Sequence, residues 1–199
     1  MRKLMILIAL FTTGLLQAGG YGIGDKAADF NLKNIDGKMV SLAGYDGAKG
    51  FIVVFTCNEC PYAIAYEDRI IALDKKYKNL GYPVIAVNPN DPEVQPADSY
   101  ERMQEKAKDK QFTFPYLYDQ EQKTWAMYGA TKTPHVFLLH REDDDLVVRY
   151  IGTIDDNYAD AAAVKEPYLA NAVDALISGK EPSPSTTKAI GCSVKQKKP

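Results

Sequence analysis

Cys57 and Cys60 stand two residues apart in GFIVVFTCNECPYA, directly after an unbroken run of Phe, Ile and Val. Two thiols at this spacing exchange a disulfide, supply half of a metal site, or staple a fold. For exchange, the reactive species is the thiolate. Pro61 follows Cys60 and suits the first turn of a helix, whose N-terminus favours negative charge. The two intervening residues let the second sulfur reach back and resolve a mixed disulfide formed on the first. This reading makes Cys57 the exposed attacking thiol and Cys60 the resolving one. Glu59 lies between them, and a carboxylate there raises the pKa of Cys57 and makes the pair more reducing.

The other readings need partners that the sequence does not supply. Zinc usually takes four ligands. Beyond the cysteines only His135 and His140 are available, both on one later strand. Covalent haem attachment needs His directly after the second cysteine, where Pro61 stands. No metal and no cofactor is expected, and a structural disulfide remains the alternative. Cys192 makes the count three, so one thiol is unpaired at any time or pairs with a partner. The tail carrying Cys192 is long enough to return to the pair. Cys192 is then either a third redox thiol, bonding or relaying electrons to Cys57, or a free tail thiol.

The elements that must position these residues follow from pattern. FNLKNIDGKMVSL reads as two short strands around the Asp36-Gly37 turn. Phe51 to Phe55 reads as a strand buried on both faces. PYAIAYEDRIIALDKKYKNLG is a helix closed by Gly81. PVIAVNPN is a second buried strand, SYERMQEKAKDKQ a charged helix, FPYLYD a short strand, and QEQKTWAMYG a short helix closed by Gly129. TPHVFLLH and LVVRYIGTI are two strands joined by an exposed acidic turn, Glu142 to Asp145. Ala159 to Ile177 is the last helix, broken at Pro167. Trp125, Tyr128 and Phe137 read as core. The order predicts an α/β fold with a central mixed sheet, helices on both faces and an N-terminal β-hairpin extension.

Residues 1–20, MRKLMILIALFTTGLLQAGG, open with Arg2 and Lys3, run apolar and end on small residues. That describes a secretory signal peptide, and export to the periplasm follows. Its apolar run is short of the roughly 20 residues of a transmembrane span. An uncleaved anchor is the alternative, because Leu16 is bulky for a cut after Ala18; membrane association follows only in that case. Residues 21–180 form one domain, and residues 181–199 a tail rich in Pro, Ser and Thr whose basic KQKK end reads as solvated and disordered. The formal charge of −2 carries no nucleic-acid footprint. Loss of Arg2 and Lys3 makes the chain more acidic still. Outside the cytosol, disulfides form and persist.

FTCNECPYAIAYEDRI, TPHVFLL and YIGTIDDN, in this order, resemble the thioredoxin fold. They are most similar to the redoxin branch of the alkyl hydroperoxide reductase and thiol-specific antioxidant (AhpC/TSA, peroxiredoxin-like) family. The closing GCSVK resembles one subgroup of that branch. The resemblance runs from about Gly24 to Lys195. It implies a catalytic disulfide at Cys57/Cys60 and a cis Pro134 beside Cys57. The backbone of Thr133 would then hydrogen-bond an extended substrate. It implies a thiol-disulfide oxidoreductase, acting on protein or small-molecule thiols and disulfides and recharged by an upstream thiol reductant.

The sequence departs from the thioredoxin pattern in two places. Thr56 stands where Trp precedes the first cysteine, and the strand Phe51 to Phe55 lacks the buried Asp that helps move protons. Water or another group must do this; Tyr66 and Glu67 are candidates, although an exposed helix face is the plainer account of Glu67. A second mechanism follows from the peroxiredoxin resemblance: Cys60-Pro61 takes the peroxidatic position, Cys57 stands where that family has Thr or Ser, and Arg149 supplies the cation. A third class is a non-enzymatic binding module.

Overall fold

Phe51, Val53 and Phe55 project to one side of a strand, and Ile52 and Val54 to the other, and all five are buried. A strand covered on both faces belongs at the middle of a sheet. Each such side chain contributes about 1.5–3 kcal/mol by leaving water. The computed structural model describes residues 19–198, so the N-terminal segment lies outside the described residues, apart from Gly19 and Gly20.

The strands are β1 (Asn31–Asn34), β2 (Met39–Ser41), β3 (Gly50–Phe55), β4 (Val84–Asn88), β5 (Tyr116–Tyr118), β6 (Lys132–Thr133), β7 (His135–Glu142), β8 (Asp145–Gly152) and β9 (Cys192–Ser193). The helices are α1 (Pro61–Tyr77), α2 (Tyr100–Asp109), α3 (Lys123–Tyr128) and α4 (Tyr168–Ile177). Seven strands form one mixed sheet in the order β2-β1-β5-β4-β3-β7-β8. β3, β4 and β5 are parallel, with α1 and α2 in the crossovers; β7 returns antiparallel to β3 and hairpins into β8. The Asp36-Gly37 hairpin extends the sheet by pairing β1 with β5.

Alternation along β3 divides the core. On one face Ile52 and Val54 meet Tyr66 and Ile70 of α1, Met103 of α2, and Leu169 and Val173 of α4. On the other, Phe51, Val53 and Phe55 meet Tyr128 of α3, Phe30 and Leu42. The thioredoxin-like architecture with its hairpin extension is therefore present.

Two expectations change. The last helix covers only Tyr168–Ile177, and Ala161–Ala163 is an isolated 3-10 turn. Between them and β8, Asp155, Asn157 and Asp160 accept hydrogen bonds from nearby backbone N–H groups, which holds the segment in turns instead of helix. The tail, in turn, is anchored well into its basic end. Thr187 N–H donates to Ile151 O at the edge of β8 (3.0 Å). Further on, Lys195 N–H donates to Asn90 Oδ1 (2.8 Å), and Lys197 N–H to Gln122 Oε1 (2.8 Å). Hydrogen bonds from its own backbone, invisible in composition, hold it.

Candidate active site

The parallel strand β3 ends at Phe55, and the chain turns through Thr56–Cys60 into α1. Cys60 is the N-cap residue, with Pro61 in the first turn. Antiparallel pairing sets Phe55 opposite His135, so the start of β7 lies beside the end of β3. Thr133-Pro134, just before β7, is a cis peptide bond. The site therefore sits at the carboxyl ends of β3 and β4, where ligands of open α/β sheets bind.

Thr133 meets both cysteines. Cys57 Sγ donates to Thr133 Oγ1 at 3.2 Å, and Cys60 Sγ to the Thr133 carbonyl at 3.0 Å. Both are nearly closed off, Cys57 at 4% exposure and Cys60 at 5%. The exposed Cys57 expected from sequence is not found, because the tail covers the pair. The two thiols are shifted in opposite directions. The pKa of Cys60 is lowered by a hydrogen bond from the Cys57 thiol, against the cost of burial, with help from Cys192 and the Ala63 N–H. The Cys57 thiol is pushed up, first by that same bond to Cys60, then by burial and the charge of Asp98.

Asp98 was missed by sequence reasoning, and it is the buried carboxylate of the site. It accepts from Asn58 N–H (2.6 Å) and Asn90 Nδ2 (2.7 Å), while burial raises its pKa. Glu59 instead turns outward and accepts from Gln95 Nε2 (2.9 Å). Asn58, between the cysteines, fixes the loop: its side chain donates to Ala97 O (2.8 Å) and accepts from Tyr116 OH (3.0 Å). The only signal for these residues was the run of Asn, Asp and Pro after β4, at the end of a strand parallel to β3.

The proton-transfer and peroxide candidates are engaged elsewhere. Tyr66 OH donates to Asp155 Oδ1 (2.9 Å), and burial pushes its pKa up to about 12. Glu67 is buried, not on an exposed face, and pairs with Lys106 (2.5 Å) and Lys110 (3.0 Å). Arg149 pairs with Glu142 and Glu181 and is not among the residues that line the cavity of the cysteines. His135 is buried and its pKa is lowered to about 4 by desolvation; His140 faces Tyr82 OH (2.7 Å). Among the described residues, no group of three or more His, Cys, Asp and Glu is placed to hold a metal ion.

Cys192 completes the cluster. It packs with Cys57, Cys60 and Ala63, and its N–H donates to Cys60 Sγ at 3.3 Å. A cavity of about 170 Å³ is lined by all three cysteines, Asp98, Asn90 and Lys195.

This geometry agrees with comparisons of sequence. The AhpC/TSA family model matches residues 23–155. The chain belongs to the AhpC/TSA family. Among its relatives is the thiol-disulfide oxidoreductase ResA of Geobacillus thermodenitrificans, 24% identical over 151 residues, covering 71% of this chain and 80% of ResA. Two solved structures are similar over nearly their whole length. A hypothetical protein from Sinorhizobium meliloti 1021 is 30% identical, with a TM-score of 0.83 over 91% of this chain and 98% of its own. An uncharacterized conserved protein from Geobacillus kaustophilus is 33% identical, with a TM-score of 0.81 over 89% and 94%.

Proposed function

We propose that this AhpC/TSA-family chain is an exported thiol-disulfide oxidoreductase whose Cys57 and Cys60 cycle between dithiol and disulfide. The observation that carries the reading is the shared contact of both sulfurs with Thr133, beside a cis proline and at a helix N-terminus. The kinship with a thiol-disulfide oxidoreductase supports it. Export rests on the N-terminal sequence alone.

In this reading the Cys60 thiolate attacks one sulfur of a substrate disulfide. A Cys60-substrate bond forms and the other substrate sulfur leaves as thiolate. Cys57 then loses its proton, attacks Cys60 and releases the second substrate thiolate, leaving the Cys57-Cys60 disulfide. The cavity beside Asp98 has room for water to carry that proton to a leaving thiolate. An upstream thiol returns two electrons and restores the dithiol. This order assigns the attack to the lowered thiol, Cys60, where the sequence reading assigned it to Cys57. Peroxide reduction at Cys60 is the second reading. The lowered Cys60 thiol favours it, and the engaged Arg149 opposes it.

Equilibration against glutathione buffers tests the proposal. The Cys57-Cys60 disulfide is expected to form and disappear in one two-electron step, lost in Cys57→Ser and Cys60→Ser. A pair that stays oxidised in every buffer would make it a structural disulfide.

A further inference from the structure

The tail lies where the family resemblance assigns an extended substrate. β9 pairs antiparallel with β6, setting Cys192 opposite Thr133 and Ser193 opposite Lys132. Gly191 makes this approach possible: a Cβ there would stand 2.2 Å from Thr133 O and 2.6 Å from its carbonyl carbon. The strand is held on both sides of the site. Upstream, Thr187 Oγ1 accepts from Thr153 N–H (3.0 Å). Downstream, Lys195 O accepts from Asp91 N–H (2.9 Å) and Gln122 Nε2 (2.8 Å). Between these anchors Cys192 is fixed beside Cys60, half-buried, while Cys57 and Cys60 are closed off.

We infer that Cys192 is a third exchange thiol of this site and the port through which a dithiol reductant delivers electrons to the buried pair. The inference rests on the exchange reading of Cys57 and Cys60. In the oxidised protein the Cys192 thiolate attacks Cys60 of the Cys57-Cys60 disulfide. The Cys60-Cys192 bond forms, the Cys57-Cys60 bond breaks, and Cys57 leaves as thiolate and takes up the proton that Cys192 released. This shuffle changes no oxidation state; it moves the disulfide to the more accessible sulfur. One thiolate of the reductant then attacks Cys192, and Cys60 departs as thiolate. The second reductant thiolate attacks the first reductant sulfur and frees Cys192, so the reductant leaves oxidised with two electrons transferred. A thiol of low pKa is the better leaving group, and Cys60 is the lowered one.

The test starts from the reduced full chain. It is oxidised with one equivalent of diamide, quenched in acid, blocked with N-ethylmaleimide, digested and mapped by mass spectrometry. The expected result is a Cys60-Cys192 link within monomers, beside Cys57-Cys60 in the wild type and as the sole link in Cys57→Ser. Cys192→Ser is expected to slow reduction of the oxidised protein by dithiothreitol several-fold. Wild-type protein that forms Cys57-Cys60 but always yields a blocked Cys192 overturns the inference and leaves the exchange reading standing. An unchanged reduction rate in Cys192→Ser overturns the port. Failure of any pair to form overturns both.

Discussion

Thr133 is the residue on which the site turns, because one side chain and its own carbonyl meet two different sulfurs. The two cysteines are chemically unequal as a result of their surroundings. Cys60 caps α1 and accepts from the Cys57 thiol and from Cys192 N–H, whereas Cys57 lies near the Asp98 charge. The donor that lowers Cys60 most is the Cys57 thiol. Cys57→Ala is therefore expected to move the Cys60 titration upward toward the ordinary thiol range of about 8.5, read by ultraviolet thiolate absorbance. An unmoved titration would mean that the helix N-terminus and the Cys192 contact set the charge instead. The cysteine pair was legible because residue type and spacing carry its chemistry, and Thr133 and Pro134 were legible through the family resemblance. Asp98 was not. It lies some forty positions from Cys57, on a loop whose path to the site is made only by folding, and an Asp in a Pro-rich loop reads locally as a turn residue. Glu59 was legible from its place between the sulfurs; what the sequence could not show is that its exposed carboxylate accepts from Gln95 at the rim of the cavity the cysteines line.

Among the elements, β3 was the clearest from sequence, since an apolar run without alternation has nowhere to go but the middle of a sheet. The N-terminal hairpin was equally plain from Asp36-Gly37. β9 was hidden, because two residues of a polar tail carry no period. What defines β9 is its partner, β6, and the missing side chain at Gly191 that lets the two backbones meet. Gly191→Ala sets a methyl group against the Thr133 carbonyl and is expected to lift β9 from β6. Iodoacetamide should then label Cys57 and Cys60 several-fold faster than in the wild type. An unaltered labelling rate would show that the tail is not what shields them.

The whole molecule joins a mixed sheet to a tail that crosses the end carrying the candidate site, from β8 past Thr133 to the loop after β4. Its acid stability should follow one buried histidine. His135 is held neutral in the fold, its pKa lowered to about 4 by burial, while Nδ1 accepts from Thr131 N–H. An unfolded histidine takes up its proton near pH 6.5, so the unfolded state binds more protons between these values. The contribution is unchanged above about pH 6.5 and falls as the pH drops toward 4, by on the order of 2 to 3 kcal/mol. Chemical denaturation across this range checks it: His135→Gln should lose less stability on acidification than the wild type. An identical loss in both would place the acid sensitivity elsewhere. The same view of the whole separates the two chemistries that its fold supports. Exchange needs two sulfurs with a common partner, and this site has them. The peroxiredoxin reading assigned the cation to Arg149, and Arg149 is held by Glu142 and Glu181. The decisive measurement is a side-by-side rate: oxidation of the reduced protein by hydrogen peroxide and by a protein disulfide, with the cysteines mapped after each. The account predicts ready formation of the Cys57-Cys60 disulfide from the disulfide substrate and oxidation by peroxide no faster than that of a free thiol. Rapid peroxide oxidation centred on Cys60, with little response to the disulfide, would contradict it.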